Sequence, residues 1–179
     1  MKLNQAFAIK LSALIATLTL AALPAAATEP GQSMDSQAAF EKLKGLAGEW
    51  SGTTGEKGKG PEVSVKYQVT ANGSAVMETL FPGTPHEMVT VYHLDNGRLV
   101  LTHYCALANQ PKMALTTKST ANELDFNFIG GANIKPGKDI HMHSLHLRFE
   151  GKDALAAEWD LFEHGKKSDS KRFFLGRKT

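Results

Sequence analysis

The run Val89-Thr90-Val91-Tyr92-His93-Leu94-Asp95-Asn96-Gly97-Arg98-Leu99-Val100-Leu101-Thr102-His103-Tyr104-Cys105 decides how this chain folds. Two stretches rich in β-branched, aliphatic and aromatic residues flank Asp95-Asn96-Gly97, the composition of two strands joined by a tight turn. If those three residues form a loop with Gly97 in the left-handed region, Leu94 pairs with Arg98 and His93 with Leu99. Val89, Val91 and His93 then share a face with Leu99, Leu101, His103 and Cys105. A two-residue Asn96-Gly97 turn sets His93 beside Val100 and mixes the faces, so the three-residue register is the expected one.

The same alternation continues on both sides. From Glu49 onward the chain is short β-prone runs separated by Gly, Pro, Asn and Asp, with ten candidate strands near 49–54, 63–71, 74–81, 87–94, 98–105, 112–118, 124–130, 140–149, 154–162 and 170–177. Short turn signals at Asn72-Gly73 and Glu150-Gly151-Lys152-Asp153 favour pairing between consecutive strands. An open sheet of that length exposes two edges, and closing it removes them, so the expected fold is all-β: an antiparallel up-and-down barrel of about ten strands. Val63, Val65, Tyr67 and Val69 form one expected inward row; Leu124, Phe126 and Phe128 form a second; Leu155, Ala157, Trp159 and Leu161 form a third. His141 and His143 continue the inward row of Leu145, Leu147 and Phe149, unless a bulge intervenes. Ahead of the strands, Asp35 or Ser36 caps a short helix carrying Ala39, Phe40, Leu43 and Leu46, ended by Gly45 and Gly48.

The N-terminus reads differently. Lys2 and Lys10 flank an apolar run, Leu11 to Leu23, that ends in Pro24 and Ala25-Ala26-Ala27, the layout of a secretory signal peptide. Residues 1–27 are the expected signal peptide, 28–34 a flexible lead-in and 35–179 a single barrel domain, periplasmic or secreted after cleavage near Ala27. The apolar run is too short to be retained as a membrane span. Cleavage removes Lys2 and Lys10 and leaves eighteen basic against eighteen acidic residues. A near-neutral chain has no overall electrostatic footprint for nucleic acid. Cys105 is the only cysteine, so no intramolecular disulfide forms and stability rests on the core.

Leu46-Ala47-Gly48-Glu49-Trp50-Ser51-Gly52-Thr53, at the passage from helix to first strand, resembles the Gly-x-Trp signature of calycins: lipocalins, fatty-acid-binding proteins and nitrobindin-like barrels. The resemblance implies that Trp50 plugs one end of the barrel and that an Arg from the last strand, Arg172 or Arg177, packs on it, with Gly48 in the motif. Glu78-Thr79-Leu80-Phe81-Pro82-Gly83-Thr84, the two strands around Asp95 and Asn109-Gln110-Pro111 resemble segments of exported bacterial calycin-like proteins of unknown function. Thr54 stands where the longer motif of nitrobindin-like haem proteins ends in Gly, and His164 falls in an expected loop, so haem ligation is not carried over.

The chemistry-bearing residues suit binding more than catalysis. His141-Met142-His143 places two imidazoles on one side of a strand, a spacing compatible with a shared Zn or Cu ion, but two ligands do not complete a site. His103 and Cys105 lack an orienting third residue for nucleophilic work, which favours an inert thiol. Tyr67, Tyr92, Tyr104 and the Phe residues offer stacking surfaces, and a ten-stranded barrel is wider than its side chains readily fill. The expected function is binding of a small, largely apolar molecule inside the barrel, contacted by His93, His103, His141, His143, Tyr67, Phe126, Phe128 and Trp159. No cofactor is required by that reading. The alternatives are a metal- or haem-binding protein using His141 and His143, an enzyme with a His general base, and a filled barrel that binds a protein partner through loops such as Phe81 to Glu87.

Overall fold

Asp35 caps the first helix: its carboxylate accepts from the Ala38 N–H at 2.9 Å, occupying one of the donors that a helix start leaves free. The computed structural model describes residues 34–57 and 59–179. The expected signal peptide and all but the last residue of the expected lead-in lie outside the described residues. Met34 is held by its N–H, which donates to the Ser119 carbonyl at 2.8 Å. The helix, α1 (Ser36–Lys44), buries Ala39, Phe40 and Leu43 on one side and ends at Gly45.

Ten strands follow: β1 (Gly48–Thr54), β2 (Glu62–Thr70), β3 (Ala75–Leu80), β4 (Met88–Asp95), β5 (Arg98–Tyr104), β6 (Gln110–Leu115), β7 (Glu123–Ala132), β8 (His141–Phe149), β9 (Ala154–Glu163) and β10 (Lys166–Arg177). Each pairs antiparallel with its chain neighbours, and β1 pairs with β10, so the sheet closes on itself as expected. Strand β10 starts earlier than the expected residue 170. His164 and Gly165, both with positive φ, make a two-residue turn that pairs Glu163 with Lys166, and a bulge between Lys167 and Asp169 absorbs the register change.

The central hairpin corrects the expected register. Asn96 and Gly97 alone form the turn, both with positive φ (49° and 81°), so Asp95 pairs with Arg98, Leu94 with Leu99, and His93 with Val100. This is the mirror-image turn whose twist matches that of the flanking strands, which is why two residues suffice. The shift of one residue exchanges faces on β4. Thr90 and Tyr92 are fully buried, whereas His93 has the parity of Val89 and Val91 on the other face, away from the lumen.

The barrel is closed at the helix end. Trp50 is 1% exposed; its indole N–H donates to the Leu46 carbonyl at 2.8 Å, and its ring meets Tyr67 edge-on with centroids 6.4 Å apart. The Arg177 guanidinium lies 4.4 Å from the centre of the indole and donates to the Ala47 and Gly45 carbonyls, each at 2.8 Å. One side chain thereby covers the plug and satisfies carbonyls at the helix exit. Arg172 does not share this role: it pairs across the strands with Glu158 at 2.9 Å. A Cβ on Gly48 would lie 3.2 Å from Arg177 Nη1, so a larger residue there would press on the same contact. Above the plug the lumen is filled by Val76, Leu99, Leu101, Met113, Leu124, Phe126, Leu145 and Leu147, all at most 1% exposed. At roughly 1.5–3 kcal/mol for each large apolar side chain withdrawn from water, this layer supplies the stability that no disulfide provides.

Candidate functional site

A row of polar side chains crosses the inner wall above that packed layer. Tyr67 on β2 is paired with Glu78 on β3, Glu78 with Thr90 on β4, and Thr90 with His103 on β5. Directly opposed residues on one sheet face lie close enough for their side chains to meet, and these do. The Tyr67 hydroxyl donates to Glu78 Oε1 at 3.1 Å and the Tyr92 hydroxyl to Oε2 at 2.6 Å. The Thr90 hydroxyl lies beside Glu78 in the row and 2.9 Å from His103 Nδ1. Every member of the row is at most 1% exposed.

Burial sets the charge states. It raises the Glu78 carboxyl above its ordinary range, against the lowering effect of the Tyr92, Tyr67 and Thr90 hydroxyls beside it, and raises both phenols, which keeps them protonated donors. Burial also lowers the His103 imidazole to about 4, so the ring is neutral near pH 7. On the other side of the ring, His103 Nε2 is buried and has no hydrogen-bond partner.

His103 lines a cavity of about 470 Å³ at the end of the barrel opposite Trp50. Its apolar walls are Leu80, Phe81, Met88, Met142, Trp159 and Phe173. The Trp159 ring lies against the His103 ring, with centroids 4.6 Å apart, and Phe81 meets Phe173 at 6.1 Å. Phe81 holds a left-handed backbone, φ 53°, a conformation that costs a non-glycine residue about 1 kcal/mol or more; it begins the turn over the mouth in which Glu87 accepts from the Gly83 N–H. At the rim, Lys171 is paired with Asp169 at 2.6 Å and Arg172 with Glu158 at 2.9 Å. A second hollow of about 450 Å³ lies among Glu123, Asp125, His146, Glu158 and Arg172. Within it His146 bonds Asp125 and Arg172 pairs with Glu158, and none of its side chains has a buried polar atom without a partner.

The expected ligand contacts are therefore divided. His103 and Trp159 meet at the cavity. Tyr67 belongs to the polar row, and Phe126 is packed against Tyr92 at 5.9 Å inside the filled layer. His93 is on the outer face. His141 and His143 do not line the cavity, because β8 is bulged: Met142 pairs with Leu161 and Ser144 with Asp160, leaving His143 as the extra residue. The bulge puts Met142, rather than either imidazole, on the cavity wall. The His141 Nδ1–H donates to the Asp139 carbonyl at 2.9 Å, so its Nε2 accepts from His143 Nδ1–H at 3.1 Å. His143 stacks on Phe162 with centroids 3.8 Å apart and on Phe128 at 5.3 Å. The nitrogens that a shared ion would need thus face each other, and among the described residues no group of three or more His, Cys, Asp or Glu side chains is placed to hold a metal ion.

Other readings resolve on the same geometry. Cys105 sits in the turn after β5, partly exposed, with its thiol pushed up by burial and therefore little thiolate. His164 is exposed in the β9–β10 turn, so no residue there fits an interior haem. Glu78 and Thr90 were not singled out as site residues from the sequence. The available signal was an acid on the inward parity of Val76 and Leu80; the Thr90–His103 contact was hidden by the three-residue register, which opposes Thr90 to Thr102 instead.

No protein-family model matches the chain, and no curated protein matches it. Among solved structures it is similar to the crystal structure of Rv2717c from M. tuberculosis, at 18% sequence identity with a TM-score of 0.50 over 79% of this chain and 98% of that one. A likeness at that identity establishes shared architecture: the described residues form a closed ten-stranded antiparallel barrel with one short α-helix.

Proposed function

We propose that this is an exported, calycin-like binding protein that holds a small, largely apolar molecule in the mouth of its barrel. The observation that carries the reading is the cavity of about 470 Å³, walled by aliphatic, thioether and aromatic groups with His103 among its lining residues. Mostly apolar walls with a few polar groups are the usual chemistry of small-molecule pockets. The secretory N-terminus read from the sequence supports a periplasmic or secreted location. The reading requires neither metal nor haem.

Native mass spectrometry of the protein isolated from its own host tests it. A one-to-one organic adduct of a few hundred daltons, absent from a Met142→Trp variant that fills the cavity, is the expected result. A bare chain that also takes up no added apolar compound contradicts it.

One observation favours a second reading, general-base catalysis: His103 Nδ1 is backed by Thr90 and Glu78 in the manner of an oriented base. A turnover abolished by His103→Ala with the fold intact would establish it. A pKa near 4 makes the imidazole a weak base near neutral pH, so binding is the preferred reading.

A further inference from the structure

We infer that the outer wall formed by β3–β7 is a two-fold interface on which a second copy of this chain seats. The inference is independent of the cavity and begins with an inversion of polarity. On β4, Thr90 and Tyr92 are fully buried inside and the apolar Val89 and Val91 point outward, on the face that a solvated antiparallel sheet gives to polar groups. Met77 on β3 pairs with Val91 and widens the strip. Between β6 and β7, Lys112 pairs with Gly130 and Met113 with Phe128, which leaves Ile129 as the extra residue of a bulge. Exposure follows the same strip. Four large apolar side chains of the described residues are exposed, and three of them gather here: Tyr104 at the end of β5 (51%), Leu107 in the turn after it (42%) and Ile129 (46%). The outer wall of β8–β10 is different, because His146, Arg148, Glu158 and Arg172 each stand there beside an opposite charge. An apolar cluster confined to one side of an otherwise polar surface marks an interaction site.

Shape names a second copy as the occupant. A two-fold interface uses one patch twice, so that patch must carry both the projections and the recess that receives them. Tyr104 and Ile129 project from the wall, and they line a hollow of about 550 Å³ together with Thr102, Lys112, Gly130 and Gly131. The recess is built in: a Cβ on Gly131 would lie 2.5 Å from the Gln110 carbonyl oxygen, so no larger side chain fills it from that position. Two copies turned face to face about an axis through this patch direct each Tyr104 ring at the recess of the other. A large aromatic anchor seated in a pocket is where the binding energy of an interface concentrates.

The charge pattern agrees. The one ionised side chain lining the recess, Lys112, is held by Asp95 at 3.2 Å. Two copies therefore meet there without like-charge repulsion, whereas a strongly acidic partner finds no free cation in the recess to pair with. Closure of the sheet leaves no strand edge, so a second copy cannot add by extending the sheet and has to seat on a face.

Sedimentation velocity of the protein purified from its host tests the inference. At about 50 μM, ample for an interface of standard size, the expected species has twice the chain mass. Tyr104→Glu and Ile129→Asp each place a charge in the contact and should weaken the dimer by about a hundredfold or more, while Arg148→Glu on the charged wall leaves it unchanged. Hydroxyl-radical footprinting of the wild type keeps the test independent of how the variants fold. Labelling of Met77, Tyr104 and Leu107 should fall by about threefold or more as the concentration rises from about 0.1 to 50 μM, with His146 constant. A monomer at the higher concentration, a dimer that survives both substitutions on the strip, or equal loss in Arg148→Glu would overturn the inference. Protection of the strip that appears only when host extract or lipid vesicles are added would overturn it as well, by naming a different occupant.

Discussion

Arg177 and His103 show how much can rest on one side chain. Arg177 covers the Trp50 ring and holds two carbonyls at the helix exit, so Arg177→Ala should cost about 2 kcal/mol, the order expected for losing hydrogen bonds to a charged group. Trp50→Ala removes the plug itself and should cost about 4 kcal/mol; urea unfolding measures both. His103 makes a claim about pH. Its folded pKa is about 4 against an ordinary 6.5, so between those values the unfolded imidazole takes up a proton that the folded one refuses. Its contribution is fully present above pH 6.5, declines as pH falls toward 4 and is lost below, a change of about 3 kcal/mol. Glu78 acts in the opposite sense: its carboxyl is raised by burial, so its contribution falls as pH climbs from 4.5 through its folded value. Comparing urea midpoints of wild type and His103→Phe from pH 7.5 to 4 isolates the histidine, and identical slopes would show that the imidazole is not held neutral. Of these residues, Trp50 and the last-strand Arg were legible in the Gly-x-Trp stretch. Glu78 was not, because a lone acid in a strand is most often solvated, and only its cross-strand neighbours reveal the row.

At the scale of elements, alternation was enough to place ten strands but not to set how they meet. Asp95-Asn96-Gly97 admits loops of two or three residues, and that single choice decides whether Thr90 or His93 enters the lumen. The structure selects two because positive φ at both Asn96 and Gly97 lets the turn twist with its strands. The β8 bulge is similar: nothing in His141-Met142-His143-Ser144 announces that His143 will be the unpaired residue, yet it moves both imidazoles off the cavity wall and Met142 onto it. The barrel seam offers an element-level test. A Cβ on Gly52 would lie 1.8 Å from the Phe174 carbonyl oxygen, where β1 meets β10, and no side-chain adjustment relieves a clash with backbone. Gly52→Ala should therefore part the seam, costing more than about 3 kcal/mol and exposing β1 and β10 amides to fast hydrogen exchange, while the β4–β5 hairpin retains slow exchange. Unchanged protection along β10 would show that the strands slide past the added methyl without opening.

For the whole molecule, closure follows from ten amphipathic strands in sequence order with no edge left over, and the alternation along the sequence already implies it. The axial division was not. A row of apolar residues looks alike whether it fills the lumen or lines a void, and only packed volumes show that Phe126, Leu101 and Leu145 seal one half while Trp159, Met88 and Phe173 surround a cavity in the other. The account depends on that division, and chemical-shift mapping with 2-naphthol tests it most directly. The backbone and imidazole signals of Leu80, Met88, His103, Met142, Trp159 and Phe173 should move together and saturate at one equivalent, with the outer face around Tyr104 and Ile129 still. Signals that stay in place at the barrel mouth, or that move on the outer face instead, would contradict it.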